Sequence, residues 1–292
     1  MENRGLYVAR RALRWLGAAL WAGGLATAPG AAAAASEARV DVVQWPAWIE
    51  RDGRRTPAQP GAELRPHDRL LTGRDARLVI RLADGSAVKL GEQAELGLEA
   101  LGRRDGVLQA AIDVGKGAFR FTTGLFGKVL GRREVKVRVA TLTLGIRGTD
   151  VWGKSSAEGD RVLLLEGRVA VAHAGAPEQE LATPLETLLA PPGGAVERRT
   201  ANAAQVAAWA RETEIDPGRP AGRRGGRHAA TVVVAESEPE ALALRDRLIA
   251  AGYPVRLRLL DGTRIALRVE GFAAAREAGA LAAEARRILA AP

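Results

Sequence analysis

A two-residue alternation, repeated from residue 36 to residue 198 and jointed at glycines, constrains this chain more than any other feature. In the stretch ARLVIRLADGSAVKLGE, Leu78, Ile80 and Leu82 point one way while Arg77, Val79 and Arg81 point the other. That is the period of a half-buried strand, not of a helix. Asp84-Gly85 supplies a hairpin turn, after which Val88 and Leu90 resume the inner face with Lys89 outside. Phe119 and Phe121 alternate with Arg120, and Val135, Val137 and Val139 with Lys136 and Arg138. DRVLLLEGRVAVAH reads as another strand pair, jointed at Glu166-Gly167. Clear helical periodicity is absent before residue 201. An all-β sandwich or solenoid follows for residues 36–198.

Four short landmarks stand in order in this region: the D-x-L-x-T-G of Asp68–Gly73, the DGS of Asp84–Ser86, the IRGT of Ile146–Thr149 and the EG-x-V-x-V of Glu166–Val171. Together with the strands between them they resemble the FecR domain family over most of residues 40–198. The resemblance implies an exported, non-enzymatic β-domain that works through protein contacts. Founding members sense iron–siderophore uptake and control a sigma factor through a cytoplasmic N-terminal helical region. Only about 14 residues precede the apolar segment here, against the roughly 50 a domain needs, so the anti-sigma role is not carried over.

The N-terminus reads as an address. Arg4, Arg10, Arg11 and Arg14 form a positive region, Leu16 to Thr27 an apolar one, and Ala33-Ala34-Ala35 a small-residue cleavage site. Residues 1–35 are therefore expected to be a cleaved signal peptide, and the mature protein periplasmic. The chain of 292 residues carries a net charge of +9, which suggests an acidic partner or surface. It has no cysteine, so disulfides, zinc–thiolate sites and cysteine nucleophiles are excluded. His67, His173 and His228 do not fall at metal-ligand spacing. No metal, no cofactor and no catalytic residue are expected, and no carboxylate pair or nucleophile–base pair of a wall hydrolase stands out.

GTDVWGKS, residues 148 to 155, fits the G-x-x-x-x-G-K-[ST] pattern of phosphate-binding loops. Such a loop needs a strand before it and a helix after it, so that helix-terminal N–H groups meet the phosphates. Here a turn and a further strand follow. The match is read as accidental, with Gly145 and Gly148 at a strand joint, Gly153 to Gly159 as a hairpin loop, and no nucleotide or nucleic acid as partner. Arg147 is expected to close a turn onto carbonyls or a carboxylate such as Asp150.

Residues 199–229 form a joint. Asn202 caps a short helix whose apolar stripe is Val206, Trp209 and Ala210, with Trp209 packing on the β-domain. An Arg-, Gly- and Pro-rich run then reads as a flexible linker. Residues 230–292 change period. A strand (TVVVA), a helix ending at Gly252, a hairpin turning at Asp261-Gly262 and a second helix give the order β-α-β-β-α of a small α+β, ferredoxin-like domain. Parity puts Val255, Leu257, Leu259, Ile265, Leu267 and Val269 beneath the helices, and Arg256, Arg258, Arg264 and Arg268 on the open face with Ala266. This segment resembles the SPOR (sporulation-related repeat) domain, whose members bind peptidoglycan glycan strands stripped of stem peptides. Carried over by position, the glycan-binding face is Thr231, Val233, Arg256, Arg258, Arg264, Ala266 and Arg268. Members often show a Gln and a Ser on the first strand, an aromatic on the third and a final strand, and none of these stands here.

The expectation is a periplasmic, non-enzymatic envelope protein: a FecR-like domain for an unidentified envelope protein, and a SPOR-like module for denuded peptidoglycan. The alternative is a periplasmic regulatory or scaffold protein that binds only protein partners.

Overall fold

In a computed structural model the described residues are 36–124 and 133–291; the expected signal peptide lies outside them. Three strands are long enough to serve two layers at once: β8 (Val107–Thr122), β10 (Leu142–Ser156) and β11 (Gly159–His173). The second half of β8 pairs β6 (Ala87–Leu90) and the second half of β10, which pairs the first half of β11. Outward on one side come β13 (Glu186–Ala190) and β14 (Glu197–Thr200), on the other β5 (Arg77–Leu82) and β1 (Ala38–Gln44). The other halves of the long strands build the second layer with β12 (Ala176–Leu181), β9 (Arg133–Val139), β7 (Glu95–Arg104), β4 (Arg69–Thr72), β2 (Ala47–Arg51) and β3 (Arg54–Pro57). The result is a sandwich whose layers exchange strands.

The inward set that alternation predicts is the core. Leu78, Ile80, Leu82, Phe119, Phe121, Val135, Val137 and Val139 are all at or below 2% exposure. Each such aliphatic or aromatic side chain stabilises the fold by about 1.5–3 kcal/mol through burial. A strand crossing between layers must bend, and the bends of β10 and β11 coincide. Gly148 (φ +70°) and Gly167 (φ +85°) sit side by side, and a Cβ on Gly167 would lie 2.4 Å from the Gly148 carbonyl oxygen. Only a residue without Cβ adopts this conformation at that approach.

Helix α1 (Ala203–Thr213) starts with a capping box. Asn202 Oδ1 accepts from Gln205 N–H, and the Gln205 side chain accepts from Asn202 N–H, both at 2.9 Å. Trp209 stacks on buried Trp152, as expected.

The C-terminal module contains β16 (His228–Ala235), α2 (Glu238–Ala250), β17 (Arg256–Asp261), β18 (Arg264–Phe272) and α3 (Ala275–Ala290). Its antiparallel sheet runs β16–β18–β17. Ala241 and Leu248 of α2 and Ala278, Leu281, Ala282 and Ala285 of α3 are buried with Val232, Leu267 and Val269 of the sheet.

The run before the module is ordered, contrary to the expected flexible linker. Gln44 Nε2 donates to the Asp216 and Arg219 carbonyls at 2.8 and 3.2 Å, and Asp216 N–H donates to Gln44 Oε1 at 2.9 Å. Arg219 donates to the Trp45 carbonyl and to Glu284, both at 3.3 Å. The short strand β15 (Gly222–Arg223) pairs β1 on one side and Phe272 of β18 on the other. Composition alone suggested a solvated run. Buried acceptors across 172 residues of sequence separation, invisible to a local reading, fix it instead.

Candidate functional site

The four sequence landmarks of the β-domain are consumed by its own architecture. Asp68 is 1% exposed and accepts from Arg51 Nε and Nη2, each at 2.6 Å, and from the Arg65 N–H at 2.8 Å. That bidentate pair fastens β2 to the start of β4. Thr72 Oγ1 donates to the Gly91 carbonyl at 2.7 Å and accepts from Ala94 N–H at 2.9 Å. Asp84 closes its turn on the Ser86 N–H and hydroxyl at 2.9 and 2.8 Å. The glycines of the last two landmarks are the coincident bends. These residues specify a fold and leave no cluster of unspent chemistry.

Two local expectations are corrected in the same region. Asp150 is held by Arg120, not Arg147: Arg120 Nε and Nη2 donate to its two oxygens at 2.8 and 2.7 Å. Arg120 also donates to Glu214 at 2.8 Å, and Lys89 donates to the same carboxylate, so a chain of charge leads from the sandwich to the end of α1. The Asp150 hydrogen bond, ahead of the cost of burial, holds the Arg120 guanidinium firmly protonated. Arg147 is exposed instead, opposite Arg168 across β10 and β11. Parity could not choose between the two arginines, because Arg120 is distant in sequence. The GTDVWGKS segment lies inside β10, which continues to Ser156 before a turn at Ala157-Glu158; the expected loop is shorter than residues 153–159. Lys154 pairs with Glu212 at 2.9 Å, and no helix follows.

The uncovered face of the module is the candidate site. Register brings Thr231, Arg268 and Arg256 into one row across the sheet, and Val234, Ala266 and Arg258 into the next. Arg264, at the hairpin end, is opposite Asp261 and donates to both its oxygens, one bond at 2.9 Å. That hydrogen bond holds the Asp261 carboxyl below the usual carboxylate range. Arg264 is therefore internally compensated. Arg256 Nε lies 3.3 Å from Glu270. Neither Arg258 nor Arg268 has a hydrogen bond or ion pair among the described residues, and the Nε of Arg268 is buried without an acceptor.

Six of the seven predicted face residues share this side of the sheet, although Ala266 is only 1% exposed and so is closed to a ligand, and Val233 does not share it. A bulge between Thr231 and Val233 shifts the register, so Val233 pairs with Leu267 on the helix side and packs on the core. Val234, 36% exposed, takes its place on the open face. The run Thr231–Ala235 has no polar–apolar alternation, so nothing in it marks the extra residue. Leu259, expected beneath the helices, is instead 64% exposed, and Leu260 is 48% exposed; both lie by a second bulge near the hairpin tip.

Where the face meets the β-domain, a groove of about 410 Å³ is lined by Arg256, Arg268, Arg227 and His228 together with Gln59 and Pro60 of the β3–β4 connection. Beyond Pro254 and Pro60 a wider cleft of about 1110 Å³ carries Arg51, Arg54 and Arg65. The β-domain's share in this surface was not legible in the sequence.

A strand-exchanging sandwich with a docked α+β module defines a β-rich protein whose landmarks serve architecture. Residues 68–170 match the family described as FecR protein, so the chain carries a FecR-family domain over that span. Two crystal structures of a protein assigned as an anti-sigma factor from Parabacteroides distasonis ATCC 8503, at 1.65 and 2.50 Å, are similar to it at 14% identity. The alignment covers 68% of this chain and 97% of that one with a TM-score of 0.41. No curated protein matches the sequence.

Proposed function

We propose that this is a non-enzymatic, periplasmic cell-envelope protein. Its FecR-family domain binds a protein partner, and its C-terminal module, SPOR-like and ferredoxin-like in element order, holds denuded glycan strands of peptidoglycan. The observation that carries the reading is the row of arginines on the one sheet face that no helix covers. Exposed strands often carry charge to prevent edge pairing. Arg258, on the edge strand β17, meets that need; Arg268, on the central strand β18 paired on both sides, does not serve it. Sugar hydroxyls, acetamides and carboxylates are the acceptors such donors serve. The face has no aromatic platform, so affinity per site is modest and retention at the wall depends on many sites.

The test is co-sedimentation of the protein with amidase-treated sacculi. The protein should pellet with them, and Arg256→Glu combined with Arg258→Glu should abolish pelleting at unchanged thermal stability. Pelleting by the double variant would refute the site. Failure of the unaltered protein to pellet would favour a scaffold that binds only proteins, docking through Val234, Leu259 and Leu260.

A further inference from the structure

We infer that the groove between the module and the β-domain is a carboxylate subsite, which seats one acidic sugar unit at the β-domain end of the arginine row. The inference rests on the glycan reading above and adds the group recognised and the domain that completes the site.

Three observations converge on it. Arg256 and Arg268 are directly opposite across β17 and β18. Like charges in that position repel and weaken a strand pair, and an anion between or above them would relieve that repulsion. Among the described residues the Glu270 carboxylate pairs with Arg256 alone, at 3.3 Å. Secondly, Arg268 is half-buried and its Nε–H is enclosed with no acceptor. A donor without a partner costs stability; the terminal nitrogens of Arg268, which are not sealed, are the ones a ligand oxygen in the groove would reach. Thirdly, the space in front of these groups is a half-open groove of about 410 Å³, to which the β-domain contributes Gln59 and Pro60, and the joint and β16 contribute Arg227 and His228. That volume suits a small bound group rather than a flat contact.

The chemistry selects a carboxylate. A guanidinium fork matches its planar oxygens two to two. Glu270 lines the same groove, and a phosphate carrying nearly two charges would be repelled by it more than a singly charged carboxylate. The docked module makes this groove possible: β15 joins β1 to β18, which holds the β3–β4 connection against the open face. An isolated module would have the arginines without Gln59 and Pro60.

The test uses the whole protein and three probes: amidase-treated sacculi, the same sacculi with carboxyls reduced to alcohols, and polygalacturonate. Binding to the first should be about tenfold tighter than to the second, the scale of one charge-assisted hydrogen-bonded pair. Arg268→Gln should erase that difference while leaving the melting temperature equal or higher, since an unsatisfied buried donor is removed. Gln59→Trp, which fills the groove from the β-domain side, should erase it as well. Equal binding to both kinds of sacculi would overturn the subsite and leave the wall reading standing. Binding of polygalacturonate alone, lost in Arg268→Gln, would uphold the subsite and overturn the wall reading. No binding to any probe overturns both. A Gln59→Trp variant that binds like the unaltered protein would overturn the part assigned to the β-domain.

Discussion

The indole planes of Trp152 and Trp209 lie 8° from parallel with their centroids 5.3 Å apart, so α1 is fastened to the sandwich by a stacked aromatic pair. Arg161 lies over the Trp209 ring at 4.9 Å, adding a cation to the stack. The surrounding patch is small: Ala118, Leu163 and Ala201 are its other buried members. Trp209→Ala should therefore cost about 2–3 kcal/mol, from lost burial and lost stacking. Urea denaturation measures it, and the emission of Trp152 should shift red as its cover is removed. A loss under about 0.5 kcal/mol would mean that α1 is held by its cap and ion pairs instead.

The coincident bends at Gly148 and Gly167 make a sharper demand. Gly167→Ala places a methyl 2.4 Å from the Gly148 carbonyl oxygen at a φ of +85°. Strain of this kind costs about 1–3 kcal/mol for the backbone, with the clash added. Gly175→Ala is the control: its φ is +78°, but nothing lies within 4 Å of the new methyl. Denaturant midpoints should separate the two, Gly167→Ala being the more destabilised. Equal midpoints would show that the backbone angle alone, not the contact between bends, sets the requirement.

Those two sites show what the sequence made legible. Alternation identified the inward faces because a pleated strand must send neighbours to opposite sides, and Leu78–Leu82 and Phe119–Phe121 leave no other arrangement. Glu166-Gly167 was readable as a joint because glycine is where a strand turns. The exchange of strands between layers was not readable, since one long strand and two short ones have the same alternation. The Val233 register was lost for a related reason: in Thr231–Ala235 every neighbour is small or apolar, so a bulge leaves no trace. The ordered joint at residues 214–223 depends on Gln44 and Trp45, and no local pattern announces a partner so far away in sequence.

Tyr253 gives the fold an alkaline limit. It is 5% exposed, and its hydroxyl donates to Glu284 Oε1 at 2.6 Å. Burial first, and the Glu284 acceptor second, push the phenol well above its ordinary range. A group whose folded pKa is raised contributes stability that is complete below its unfolded pKa, about pH 10 for tyrosine, and is lost as pH rises toward the folded value. Tyr253→Phe should therefore be less stable than the unaltered protein near neutral pH, where the bond to Glu284 is missing. It should also lose less stability between about pH 9 and pH 11, because phenylalanine has no proton to lose. Chemical denaturation at the two pH values measures both effects. Parallel losses in the two proteins would show that other groups govern the alkaline limb.

Gly252 controls whether the module stays docked. It follows α2 at a φ of +87°, and a Cβ there would meet Trp48 at 2.5 Å and Pro46 at 2.8 Å, both in the second strand of the sandwich and its approach. Both rings are partly buried, and the added atoms would have to displace them. Gly252→Val should therefore cost about 2–4 kcal/mol by strain and overpacking. The loss should fall on the contact between the domains, because the valine projects away from the module's own core. Limited trypsin digestion reads this directly. Arg223 and Arg224 sit in the joint, where backbone bonds to Val42 and Asp41 of β1 hold the chain. In the variant these sites should be cut first, releasing the module as a discrete fragment. Cleavage spread evenly along the chain would mean that Gly252 supports the whole fold, and an unchanged pattern would mean that docking does not depend on this contact.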